Sequence, residues 1–191
     1  MKKVFVLALA FAGLTTAVKA QQGSVLVGGN IDYNSQSQSS FKTDSLTFSP
    51  TVGYQFSSHF TAGLTADIGS SKIDDGAGTV TKTSAFDLGP FIRYAQPLSS
   101  IFSVYGQLQG VFGSYKNTTN GTTNYQGNTV NVMLFPAVFI NLKNSFGLNF
   151  NVGGLSYGSN SPKGGVAINT FDINFGKTLS IGLSKNFGGK K

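Results

Sequence analysis

The sequence predicts an all-β chain: an eight-stranded antiparallel up-and-down transmembrane β-barrel. Three observations predict it. Period-2 alternation of apolar and polar residues recurs in eight segments. The composition is poor in helix formers, with 25 Gly, 17 Phe and seven acidic residues that are all Asp. The face opposite each apolar one is small and polar rather than covered with Lys and Glu.

The N-terminus is read separately from the barrel. Lys2 and Lys3 precede an apolar run from Val4 to Leu14, and "AVKA" at 17–20 ends in a small-residue cleavage site, so 1–20 is a secretory signal peptide cut before Gln21. The run is too short to span a bilayer as a helix. The remaining 21–191 form one barrel domain. There is no cysteine, which excludes both disulfides and a lipidated N-terminal Cys. The formal charge of +7 includes Lys2, Lys3 and Lys19 of the leader, and the other basic residues are scattered, with only Lys190 and Lys191 adjacent. No basic footprint for nucleic acid is present.

The strands follow in order. The first sets Val25, Val27, Ile31 and Tyr33 on one face, and the second Leu46, Phe48, Pro50, Val52, Tyr54 and Phe56. The third aligns Phe60, Ala62, Leu64, Ala66 and Ile68; the fourth Phe86, Leu88, Pro90, Ile92 and Tyr94, with Phe91 breaking the opposite face. The fifth carries Phe102, Val104, Leu108 and Phe112 against Ser103, Tyr105, Gln107 and Gln109; the sixth carries Val130 to Ile140 at every second position. The seventh aligns Phe146, Leu148, Phe150 and Val152, and the eighth runs from Phe171 to Phe187, with Lys177 and Lys185 on its apolar face.

Connections alternate in length. Long polar tracts at 34–45, 70–83, 116–129 and 158–167 alternate with short ones at 57–59, 96–100 and 143–145, placing long and short connections at opposite ends. The long tracts are Asn/Ser/Thr/Gln/Gly-rich and are expected to be mobile.

Alternation leaves open whether the apolar face points into a soluble core or into lipid. The small polar face suits the narrow lumen of an eight-stranded barrel, which side chains fill. Asp32, Asp67, Asp87, Arg93 and Asp172 are then interior charges, and Arg93, the sole arginine, is expected to be paired. Aromatic residues near strand ends, among them Tyr33, Tyr54, Phe60, Tyr94 and Phe102, suit interfacial girdles.

With "SPTVGYQF", "FTAGL", "LGPFIRYAQPL", "GLNFNVGGLSYG" and the closing "LSIGLSKNF" in place, the chain resembles the small outer-membrane β-barrel family of OmpA/OmpX type over residues 23–187. The resemblance implies an outer-membrane location, outer-membrane lipid as the surrounding medium, and a non-catalytic structural or surface-contact role through the outer connections. It also implies an insertion signal in the last strand, read by the barrel-assembly machinery, which Gly182 and Phe187 match. Lys185 and the trailing "GGKK" depart from that pattern. A soluble lipocalin-like binder of apolar ligands, with the apolar face inward, is the alternative; a narrow ion-conducting pore is the third reading.

No constellation points to an enzyme, a metal or a cofactor. His59 is the sole histidine and lies in a turn, "DDG" at 74–76 lacks the further ligands of a calcium loop, and "GQLQG" at 106–110 has helical spacing on a strand. The acceptor patterns at Asn117 and Asn120 mark a surface loop. Pro50, Pro90 and Pro136 are the remaining anomaly. They share the apolar face of strands two, four and six, six to seven residues before a short turn, and a closed barrel has no free edge to excuse them. Each is expected to sit at a bulge, or to have the neighbouring-strand carbonyl that it leaves without a donor answered by an inward side chain such as Ser49.

Overall fold

A computed structural model describes residues 22–188, apart from the side chains of Lys177 and Thr178. The leader at 1–20, the tail at 189–191 and the expectation for Lys177 lie outside the described residues. Eight strands run in chain order: β1 (Ser24–Gln38), β2 (Phe41–Gln55), β3 (Phe60–Asp74), β4 (Val80–Pro97), β5 (Phe102–Thr119), β6 (Thr122–Lys143), β7 (Phe146–Pro162) and β8 (Ile168–Gly188). Each pairs antiparallel with the next, and β8 returns to β1, from Ser24 against Gly188 to Asn30 against Gly182. The chain is therefore an all-β closed barrel of eight strands.

The period-2 faces decide the wall. Val27, Ile31, Phe48, Leu64, Leu88, Leu108, Leu134 and Leu183 are all exposed on the outside, whereas Thr61, Thr65, Asp87, Gln107, Thr129, Asn149 and Ser184 are buried inside. Leu64 at 56% and Val52 at 53% exposure are far too open for a soluble core. The lipocalin-like reading needs this face inward, and it points outward. Leu26, Phe91, Val111 and Ala137 are apolar residues buried on the inner face.

The long connections differ from the expectation. What the tracts at 34–45 and 116–129 form is mostly strand: β1 and β2 pair from Gln38 against Phe41 inward, and β5 and β6 pair up to Thr119 against Thr122. The low-complexity composition counts against burying a core, but a hairpin ladder needs only backbone partners and a competent turn. Asn120 and Gly121 provide that turn, with φ of 49° and 85°, the left-handed pair of a type I′ hairpin. At the other end Asn144 and Ser145 do the same, with φ of 50° and 60°. Non-strand residues remain at 75–79 and 163–167.

At the prolines the ladders break on one side only. Pro50 pairs with Gly29 on β1, but pairing with β3 skips from Phe48 against Ile68 to Thr51 against Thr65 without changing register. Pro90 pairs with Leu64, and the β5 side skips Gly89 and Pro90 with the register again kept. Only Pro136, paired with Gly106, coincides with a register shift, between Leu134 and Ala137 against β7. The expected bulge thus holds for one proline. At Pro50 the Thr65 hydroxyl donates to the proline's own carbonyl at 3.3 Å, which is not the neighbouring-strand carbonyl that the missing N–H leaves without a donor.

Candidate functional site

The inward faces of all eight strands line a lumen that holds two cavities. The first opens at the short-turn end, measures about 150 Å³, and is lined by Ser58, Thr61, Ser99, Ser103 and Asn141 among others. The second, about 200 Å³, lies toward the long hairpins and is lined by Asp32, Thr51, Asp67, Gln109 and Asn151 among others. Leu26, Arg93, Tyr105 and Ser184 line both, so this layer is the partition between them.

The partition is built by strand register. Arg93 pairs with Thr61 on β3 and with Gln107 on β5, which sets three inward side chains side by side. Its Nε and Nη2 donate to Gln107 Oε1 at 2.9 and 2.7 Å, and Gln107 Nε2 passes the chain on to Gln109 Oε1 at 2.8 Å. Tyr105, two residues before Gln107 and so on the same face, lies with its ring centroid 4.0 Å from the Arg93 Cζ. A desolvated contact of this kind contributes about 2 kcal/mol. The Tyr105 hydroxyl donates to Asn149 Oδ1 at 3.1 Å, and Asn149 Nδ2 donates to Ser184 Oγ at 2.8 Å. The network crosses the lumen from β4 to β8.

Of the sequence-predicted charges, Arg93 sits in this layer and Asp32 and Asp67 lie on its long-hairpin side. Asp67 and Asp87 are direct cross-strand partners, and Asp32 lines the same upper cavity as Asp67. Asp87 is buried, accepts a hydrogen bond from Thr129 Oγ1, and occupies space that Gly113 leaves by having no side chain. Asp172 alternates with outward Phe171 and Ile173 and is exposed, opposite Ser156. Arg93 has no carboxylate partner: among the described residues the ion pairs are Lys42–Asp44 at 3.1 Å and Lys72–Asp74 at 3.3 Å, both near the long-hairpin end. The expected pairing of Arg93 is met by an amide and an aromatic face instead.

Other candidates resolve into architecture. His59 Nδ1 lies 2.7 Å from Ser58 Oγ, and its ring stacks on Tyr94 with centroids 5.6 Å apart. Asp75 caps its turn, accepting from the Ala77 and Thr79 amides at 2.8 and 2.9 Å. Gly106 and Gly110 lie on β5 opposite Pro136 and across the ladder gap at Pro90. Gly182 faces inward, where a Cβ would overlap the Asn30 side chain, while Phe187 is half-exposed on the outer wall with the Lys185 ammonium 5.0 Å from its ring centroid. Lys185 therefore lays its stem along an apolar wall beside an aromatic at the short-turn end, which accounts for a lysine on that face.

Tyr105, Gln107, Asn149 and Ser184 received no individual role from the sequence. The available signal was Tyr105 itself, a bulky ring on a face made otherwise of small polar residues.

No family model matches the chain, and no curated protein matches its sequence. Among solved structures, the outer membrane protein Ail of Yersinia pestis in a phospholipid bilayer nanodisc is similar at 13% identity and a TM-score of 0.37, over 87% of this chain and 100% of that one. The crystal structure of Ail, the attachment invasion locus protein, gives 12% and 0.36 over 86% and 95%. The translocator domain of the autotransporter NalP from Neisseria meningitidis gives 13% and 0.42 over 95% and 65%. What the chain's own pairing establishes is the architecture. It is a closed eight-stranded antiparallel barrel.

Proposed function

We propose that this chain is an integral outer-membrane barrel protein whose outer wall faces lipid and whose long hairpins project from the surface, with a structural or surface-contact role and no catalysis. The observation that carries the reading is the inversion of the wall: large apolar side chains cover the outside at every second position, and hydroxyls, amides and charges fill the inside. Closure pairs each strand with a neighbour on both sides, from Ser24 against Gly188 to Asn30 against Gly182 at the β1–β8 seam, and closure is what lets strands cross a bilayer. Aromatics gather where that band ends at the short turns, with Phe60 packed edge-on against Tyr94 at 5.2 Å and stacked near-parallel to Phe56 at 6.1 Å. The leader at 1–20 supports export, and the closing strand, with Gly182 and Phe187, supports insertion by the barrel-assembly machinery. The side-chain layer from Arg93 through Tyr105 and Asn149 to Ser184 supports a filled lumen over a pore.

The test is fractionation followed by gel mobility. The protein is expected in the detergent-extracted envelope fraction, migrating faster unheated than boiled because the closed barrel resists the detergent. Recovery from the periplasm as a soluble protein, with one mobility, overturns the reading.

A further inference from the structure

We propose that the cavity at the short-turn end binds one small inorganic oxyanion, of phosphate or sulfate size, against Arg93. Of the residues lining it, Arg93 is the single charged one; no carboxylate and no other cation is among them. Its guanidinium has five N–H donors, and the two hydrogen bonds it makes both end on Gln107 Oε1. Nη1 has no hydrogen-bond partner among the described residues. A planar fork with free donors, held by Gln107 on one edge and by the Tyr105 ring on a face, is pre-organised for an oxyanion.

The surroundings match the charge. Ser58, Ser99, Ser103 and Thr61 contribute hydroxyls to the same cavity, and Gln55 an amide. Asp32 and Asp67 line the other cavity, which Arg93 also borders, so the short-turn cavity is the one of the two without a carboxylate. Arg93 borders both cavities, but carboxylates offset its charge only on the long-hairpin side, so the short-turn chamber keeps a net positive field, and an anion bound there relieves the cost of holding a cation with no ion-pair partner. Because Ser58, Ser99 and Ser145 belong to the turns or their edges, the approach is from the short-turn end. The inference requires the barrel and its lumen and is independent of what surrounds the outer wall.

The experiment is thermal unfolding of the protein folded in a neutral detergent, titrated with inorganic phosphate in chloride-free buffer with ionic strength held by gluconate. Expected is a saturable rise in Tm of a few degrees, as for any ligand that binds only the folded state. Arg93→Gln is expected to flatten the curve. Since that variant also loses the contact with Tyr105, Thr61→Asp is the second arm: Thr61 pairs in register with Arg93, and a carboxylate there supplies a built-in counter-ion. It is expected to abolish the phosphate response while leaving Arg93 in place. The proposal is overturned if the wild type shows no saturable response, or if either variant keeps the wild-type curve, which would assign the phosphate to the outer lysines or to bulk salt.

Discussion

Single residues carry their meaning through what stands opposite them. A Cβ at Gly89 would overlap the Gly110 carbonyl oxygen, whereas one at Gly106 would have nothing within 4 Å. Gly89→Val is therefore expected to lose the fast-migrating unheated band, because the clash is with backbone across a proline-broken ladder. Gly106→Ala is expected to be neutral or to stabilise by about 0.5 kcal/mol, since it restricts only the unfolded chain. Asp75 gives a residue-scale pH effect. The Thr79 amide, then that of Ala77, hold its carboxyl below the ordinary 3.8. A lowered folded-state value means that the turn's added stability is present above the ordinary value and lost as pH falls through the lowered one. An NMR titration should show the Thr79 amide shifting across that acid window, and Asp75→Asn should remove the transition. That turn was legible as a turn from "DDG", but the amides it captures depend on chain reversal over the following residues.

Elements were legible where alternation is strong and misjudged where composition was weighed against it. The apolar faces emerge on the outer wall, because side chains alternate along each regular stretch of strand; in β7 the shift at Asn151/Gly153 moves the outward set from Phe146 and Val152 to Tyr157. The Asn/Ser/Thr/Gln/Gly-rich composition of 34–45 and 116–129 points to mobile loops, yet "NG" at 120–121 is a strong hairpin signal that alternation counts pass over. Ordered hairpins predict a protease pattern. Among the lysines at the long-hairpin end, limited trypsin digestion of the folded protein should cut first after Lys163, which lies in the 163–167 turn, and spare Lys72, Lys82 and Lys116 inside strands. First cleavage at Lys116 would show the β5–β6 ladder to be open. The prolines belong to this scale too. Each has a partner strand on one side and a gap or shift on the other, with Gly29, Gly110 or Gly106 across from it.

At the scale of the whole molecule, the wall and the lumen are one design, since alternate residues of the same strands make both. The proposed lipid band predicts a depth-dependent cost. Leu64→Arg, in the middle of the exposed apolar wall, should destabilise the barrel in bilayers by about 2–4 kcal/mol, and Ser70→Arg, near the long-hairpin end of the same face, by about 0–1 kcal/mol. Urea unfolding from lipid vesicles measures both; equal costs would remove the band. The amino-acid sequence by itself determined that this chain is a barrel of eight strands, which face of each is apolar, and that a polar interior must be filled, because parity and composition are local properties. Only the tertiary structure decided which inner residues meet. Register brings Arg93 beside Gln107 and Thr61, sets Asp67 against Asp87, and carries Asn149 and Ser184 round to Tyr105. Those neighbours lie on strands far apart in sequence, and their contact follows from barrel closure, which no single segment encodes.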